Sequence, residues 1–145
     1  MAERVQTAEV KLMNHVLIVE DNHADVRQSA AILKKLHVSK VEAVTSAERA
    51  LLHLQDATEG DKPAPQLVLL DLAFTGESGF EVLRYWKTHR DLLKNTHIVV
   101  WTAMGETEQQ LCQYFGVDVV PKWAGPAELE TVLRGYLSLP AQQPE

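Results

Sequence analysis

The sequence has a single cysteine, no run of lysine or arginine and no long hydrophobic segment. Cys112 has no partner for a disulfide within the chain, which favours a reducing compartment. A membrane-spanning helix needs about 20 consecutive apolar residues, and no stretch approaches that length. The net charge of −6 disfavours binding to the phosphates of nucleic acid. These absences predict a cytoplasmic protein that binds neither nucleic acid nor membrane.

The length of 145 residues is enough for one domain with its own core. Residues 1–14 are polar and lack the apolar segment of a signal peptide, so we expect a flexible leader there. Pro140 is expected to follow the end of the last helix, which leaves residues 139–145 as a disordered tail. The domain is therefore predicted over residues 15–138.

Five short apolar segments alternate with five amphipathic segments along this domain. Continuous apolar strands are typical of parallel sheets that helices cover on both faces. The strands are predicted at 15–20, 41–44, 67–71, 97–101 and 117–120, and the helices at 23–36, 47–55, 79–89, 106–115 and 126–137. This order predicts an α/β fold. We expect a flavodoxin-like, doubly wound, five-stranded parallel sheet of strand order 2-1-3-4-5 with five helices.

Residues that can handle a phosphoryl group follow four of the predicted strands. Glu20 and Asp21 follow the first strand, Asp71 ends the third, and Thr102 and Lys122 follow the fourth and fifth. Each is a weak signal alone, since an acidic residue after a strand often only caps the next helix. Together they meet at the ligand-binding edge of such a sheet. Crowded carboxylates favour Mg²⁺, and beside that ion Asp71 can attack phosphorus.

These residues and their spacing resemble the receiver domain of two-component response regulators. The matching segments are Val-Leu-Ile-Val-Glu-Asp-Asn (16–22), Leu-Val-Leu-Leu-Asp-Leu (67–72), Gly79, Val-Val-Trp-Thr-Ala (99–103), Lys122 and Leu129. The resemblance covers about residues 15–138. The segment 20–27 is also similar to stand-alone receivers encoded near phytochrome-type kinases.

The resemblance implies a role for each site residue. Asp71 would be the phosphoacceptor, Thr102 the switch hydroxyl and Lys122 the lysine that pairs with the phosphoryl group. The Mg²⁺ ligands would be the carboxylates of Glu20, Asp21 and Asp71 together with the backbone carbonyl of Ala73, and Asp21 would be the more direct ligand of the acidic pair.

The resemblance further implies a single-domain response regulator that signals through protein contacts. A sensor histidine kinase or phosphotransfer protein would supply the phosphoryl group and dock along the helix that begins near His23, and a homodimer is left open. The chain would not be an enzyme beyond its own phosphoryl transfer and a slow autodephosphorylation. Hydrolysis would be slow because Ala73 and Met104 offer no polar side chain to orient water.

Several positions depart from the family pattern. Trp123 follows Lys122 where the family has proline, so we expect either a trans bond in a reshaped loop or a strained cis bond. Val119 replaces the usual switch aromatic, and Thr75 replaces a usual proline. These departures favour the main alternative, a degenerate receiver that acts as a phosphorylation-independent interaction module.

Two further alternatives are weaker. A phosphohydrolase of the haloacid dehalogenase type needs Asp-x-Asp, and Ala73 occupies the second position. A flavodoxin-like cofactor binder would need a loop rich in Ser, Thr or Gly, which is absent. The aromatic side chains of Trp101, Trp123 and Tyr114 are expected to lie in the core rather than on an interaction surface.

Overall fold

The computed structural model describes residues 15–75, 77–103 and 105–137. The strands are β1 His15–Val19, β2 Lys40–Val44, β3 Leu67–Leu70, β4 His97–Thr102 and β5 Asp118–Pro121. The helices are α1 His23–Lys35, α2 Ala47–Thr58, α3 Leu72–Thr75, α4 Glu77–Thr88, α5 Glu106–Phe115 and α6 Pro126–Leu137, with a 3₁₀ turn at Lys122–Ala124. The predicted leader (1–14) and tail (139–145) lie outside the described residues.

The five strands form one parallel sheet in the order β2-β1-β3-β4-β5, which confirms the predicted topology. In the register of the sheet, Val19 lies opposite both Val44 and Leu70. The backbone N–H of Asp71 donates to the carbonyl of Val19 at 3.1 Å. The ends of β1 and β3 are therefore neighbours, which brings Glu20 and Asp71 to the same edge of the sheet.

Helices cover the sheet on both faces, which is why its central strands are apolar without alternation. Leu17 and Val19 of β1 belong to one core layer, whereas Val16 and Ile18 belong to the other. The first layer contains buried residues from α2, α4 and α5, and the second contains buried residues from α1 and α6. Both faces of the central strands are therefore buried.

The helix count differs from the prediction, since six α-helices rather than five occur among the described residues. The additional helix, α3, follows Asp71 directly in a segment predicted as a loop because it contains Gly76. The Thr75 hydroxyl donates to the Asp71 carbonyl at 2.8 Å and stabilises this turn. Helix α4 then begins at Glu77, two residues before its predicted start at Gly79.

The last strand begins at Asp118 rather than at the predicted Val117. The N–H of Val117 donates to the carbonyl of Cys112, so this residue closes the end of α5 instead of pairing in the sheet. Gly116 makes this closure feasible because its φ of 76° is in the left-handed region.

The prediction that Trp101, Trp123 and Tyr114 lie in the core is right for one residue and wrong for two. Trp101 is buried in the layer beneath α6, whereas Trp123 is 79% exposed and Tyr114 is 71% exposed. Trp123 lies in the 3₁₀ turn above the sheet edge. Tyr114 lines a groove of about 960 Å³ between α4 and α5.

The surroundings of the single cysteine and the lengths of the helices agree with what the sequence indicates. Cys112 is buried, and burial raises the pKa of its thiol to about 11, which makes it a packing residue rather than a reactive thiol. Within the part of the chain that the structure describes, every helix is too short or too polar to cross a membrane.

Candidate functional site

The Lys122 ammonium lies among three carboxylates at the carboxyl edge of the sheet. Its Nζ donates to Glu20 Oε1 at 2.8 Å, to Asp25 Oδ2 at 2.6 Å and to Asp71 Oδ2 at 2.9 Å. A lysine ammonium has three N–H donors, so each of them has a carboxylate partner here. The side chains of Glu20 and Asp71 are 2% and 6% exposed. Buried ions of this kind persist only when they are paired and hydrogen-bonded.

The acidic residues at the end of β1 are positioned by the start of α1. The N–H of Glu20 donates to the Val44 carbonyl at 3.0 Å, and Glu20 Oε2 accepts from the N–H of Asn22 at 3.2 Å. Asn22 is the N-cap of α1, and its Oδ1 accepts from the N–H of Asp25 at 2.9 Å. This cap holds Asp25 in the first helical turn, where its side chain reaches Lys122.

Asp71 and Thr102 are joined through one backbone donor. The N–H of Ala73, in the first turn of α3, lies 2.9 Å from Asp71 Oδ1 and 3.0 Å from Thr102 Oγ1. Thr102 is the last residue of β4 and is 1% exposed. The two oxygens of Asp71 therefore differ, because Oδ1 accepts from the backbone and Oδ2 accepts from Lys122. Thr102 Oγ1 and Asp71 Oδ1 accept from the same N–H.

Lys122 directly follows β5 and begins the 3₁₀ turn. Its bond to Trp123 is trans, since no cis peptide bond occurs among the residues described, so the reshaped loop is the correct alternative of the two. The Lys122 Nζ also lies 4.9 Å from the ring centroid of Trp101, within range of a cation–π interaction. The ring and the three carboxylates together fix the position of the ammonium.

Burial and crowding shift the pKa values of the site. Burial raises the pKa of Glu20 to about 7, and the charge of Asp71 adds to this effect while the hydrogen bond from Lys122 opposes it. For Lys122, burial alone would lower the pKa, but hydrogen bonds to Asp25, Glu20 and Asp71 outweigh it and the pKa lies above its usual value. One ammonium thus faces three carboxylates, and the excess negative charge favours an added cation.

The donor atoms of the site fit a hard divalent cation. Glu20 and Asp71 offer buried carboxylate oxygens, and Asp21, the residue after Glu20, adds an exposed carboxylate. Mg²⁺ prefers such oxygen ligands and retains several waters. A second acidic cluster, Asp56, Glu59 and Asp61, lies at the surface at the end of α2, and exposed clusters of this kind are common without an ion.

The structure brings together four of the residues predicted for the site: Glu20, Asp71, Thr102 and Lys122. Asp21 is exposed and joins no ion pair with Lys122 among the described residues. Ala73 contributes its N–H to the site, whereas its carbonyl was the atom predicted as a metal ligand. Met104, predicted near the cleft, lies outside the described residues.

Asp25 is a site residue that sequence reasoning missed. Its carboxylate makes the shortest of the three hydrogen bonds to Lys122. The available signal was its position one helical turn after Asp21, at the start of a predicted helix that approaches the same edge of the sheet. A single acidic residue in a first helical turn usually only stabilises the helix by interacting with its dipole, so the position of Asp25 was a weak indication of a site residue.

Comparison with known proteins points to one family. The family model described as the response regulator receiver domain matches residues 16–134. Among solved structures, the Mn²⁺-bound form of response regulator Rcp1 is 27% identical with a TM-score of 0.68, covering 90% of this chain and 96% of that chain. The phosphorylated cyanobacterial phytochrome response regulator RcpA is 26% identical with a TM-score of 0.65, covering 83% and 89%.

More distant structures support the fold alone. A signal receiver domain of a histidine kinase from Clostridium thermocellum is 19% identical, with a TM-score of 0.72 and coverage of 86% of this chain and 98% of that chain. No curated protein matches the chain.

Proposed function

The chain belongs to the response regulator receiver family of two-component signalling, and on that premise we propose that it accepts a phosphoryl group on Asp71 with Mg²⁺. The observation that carries this proposal is the contact between Asp71 and Lys122 at 2.9 Å, with the Thr102 hydroxyl sharing the N–H of Ala73 with the other carboxylate oxygen. A nucleophile, a cation and a hydroxyl donor then border one position at the carboxyl edge of the sheet.

The chemistry would proceed by attack of an Asp71 carboxylate oxygen on phosphorus. A new O–P bond forms while the bond between phosphorus and the donor breaks, and the donor leaves with that electron pair. The N–H of Ala73 holds the carboxylate in place, and Lys122 and Thr102 would pair with phosphoryl oxygens. Glu20, Asp21, Asp71 and the Ala73 carbonyl would hold Mg²⁺, which would supply positive charge to offset that of the phosphoryl oxygens.

Receiver domains interact with histidine kinases or phosphotransfer proteins, and we propose a phytochrome-type histidine kinase as the donor here. Support comes from the similarity of this chain to RcpA, which is named as a phytochrome response regulator. The donor would dock along the start of α1, where residues 21–24 are exposed beside the site. Trp123, the exposed residue that directly follows Lys122, would extend this docking surface.

Intact mass after incubation with acetyl phosphate and Mg²⁺ tests the proposal. We expect a gain of one phosphoryl group in the wild-type protein and none in Asp71→Asn, because the amide is not a nucleophile toward phosphorus. The matched control is Asp91→Asn, which removes an exposed carboxylate and should leave the gain intact. An unmodified wild-type protein would instead favour the degenerate receiver, the alternative suggested by Val119 and the altered loop.

The phosphorylated state is expected to last for minutes or longer. Ala73 is exposed at the start of α3 and offers no polar group that could orient an attacking water. Decay of the phosphorylated mass after removal of the donor measures this lifetime. We expect Ala73→Gln to shorten it severalfold and Ala73→Val to leave it long, and a wild-type half-life of seconds would contradict the prediction.

A further inference from the structure

We propose that Asp25 competes with the phosphoryl group for Lys122 and thereby restrains phosphorylation of Asp71. This inference rests on the proposed function of Asp71. It assigns to Asp25 a positioning role, because the residue acts through the lysine rather than on the reacting atoms.

The starting point is the full use of the Lys122 donors. Each of the three N–H groups of a lysine ammonium can make one strong hydrogen bond, and three carboxylate oxygens lie between 2.6 and 2.9 Å from Nζ. A phosphoryl oxygen can therefore pair with Lys122 only if one existing hydrogen bond breaks. The hydrogen bond that breaks will be the one whose loss costs the least free energy among those to Glu20, Asp25 and Asp71.

Burial decides which hydrogen bond breaks. The side chains of Glu20 and Asp71 are 2% and 6% exposed, so while the donor approaches and Asp71 is still a carboxylate, water cannot take the place of the ammonium at either one. The Asp25 side chain is 27% exposed and can exchange the ammonium for water at lower cost. The hydrogen bond between Lys122 and Asp25 is therefore the one that a phosphoryl group of the approaching donor replaces before the O–P bond forms.

Helix α1 keeps Asp25 in place as a competitor. Its N–H is bonded to the Asn22 cap, and its carbonyl accepts from the Ser29 hydroxyl at 2.8 Å. These backbone contacts fix the residue whether or not Lys122 contacts its side chain. They also mean that Asp25→Asn removes the charge while it retains both contacts, so the variant is expected to fold like the wild type.

The experiment measures phosphorylation of Asp71 by acetyl phosphate at saturating Mg²⁺. We expect Asp25→Asn to raise the rate constant and the fraction phosphorylated at limiting donor by about three- to tenfold. This is the effect of losing one charge-assisted hydrogen bond that solvent already weakens. Asp25→Glu keeps a carboxylate that can reach the ammonium, and it should return both values toward those of the wild type.

Loss of a negative charge could also speed the approach of an anionic donor, and ionic strength separates the two effects. Long-range repulsion is screened at high salt, whereas a contact pair is affected much less. We expect the advantage of Asp25→Asn to persist at high salt and Asp91→Asn to show none at either salt. Thermal unfolding of each variant verifies the fold.

The outcomes separate this inference from the proposed function. A phosphorylated wild type with Asp25→Asn equal to it or slower would overturn the competition alone. An advantage that vanishes at high salt would also overturn it, since the effect would then be long-range repulsion. A wild type that gains no phosphoryl group would overturn the proposed function and the inference together.

Discussion

Replacement of Lys122 by methionine is expected to lower the free energy of unfolding by about 3–5 kcal/mol near pH 8 in the absence of Mg²⁺. The substitution keeps most of the side-chain volume but removes the only cation that contacts the carboxylates of Glu20, Asp25 and Asp71 among the described residues. Two of these carboxylates are buried, and their mutual repulsion would no longer be offset. Urea unfolding of both proteins measures the difference.

The loss is expected to shrink as the pH falls. Glu20 has a pKa of about 7 in the folded protein, above its ordinary value of 4.5, so its ionisation opposes folding as the pH rises through this range. The hydrogen bond from Lys122 holds that pKa down, and without it the pKa would rise further. Protonation of Glu20 near pH 6 would then remove one buried charge and recover part of the lost stability.

The matched control is Lys35→Met, which breaks the pair with Glu130 on the surface between α1 and α6. That change should have little effect at either pH, because exposed ion pairs contribute little. Added Mg²⁺ should restore stability more in Lys122→Met than in the wild type, since the ion replaces the missing positive charge. Equal losses for the two lysine variants, or a loss that is independent of pH, would contradict the account of the site.

The strand order and most of the site follow from local features of the sequence. Four of the five apolar segments are followed by a site residue, and the topology of a doubly wound sheet then brings the ends of those segments together. Glu20, Asp71, Thr102 and Lys122 could be found in this way because each lies within one residue of a strand end. The sequence could not predict which donor pairs with each carboxylate oxygen, because that depends on the conformations of the side chains.

The contact between Asp25 and Lys122 could not be predicted from strand ends. The residue is 97 positions from Lys122 in the chain, and only the approach of α1 to the end of β5 makes them neighbours. Trp123 and Tyr114 show a related limit. Apolar spacing indicates which side of a helix or turn is hydrophobic, but whether another element covers that side is decided by the whole fold.

Gly79 is a position where the sequence matched the family pattern and the structure supplies the physical reason. A Cβ atom at this residue would lie 2.1 Å from Thr75 Oγ1 and 2.5 Å from Leu72 Cδ2. Leu72 is fully buried and directly follows Asp71, and Thr75 Oγ1 donates to the Asp71 carbonyl. Close packing of α4 on α3 therefore requires glycine here.

Gly79→Ala is expected to lower the free energy of unfolding by about 1–3 kcal/mol, because overpacking outweighs the better helix propensity of alanine. It should also slow phosphorylation, since the displaced α3 carries the Ala73 N–H that holds Asp71. The control is Gly135→Ala in α6, where a Cβ would meet nothing within 4 Å. That variant should gain about 0.5–1 kcal/mol from helix propensity.

A double-mutant cycle with Thr75→Ala locates the strain. Thr75→Ala alone should destabilise the protein by about 1 kcal/mol, because the hydroxyl loses its bond to the Asp71 carbonyl. In the Gly79→Ala background the same change removes the atom nearest to the new Cβ, so the two losses should sum to more than the loss of the double variant. Additive losses would place the strain elsewhere, and a Gly79→Ala protein as stable as Gly135→Ala would show that α3 can move aside without cost to the site.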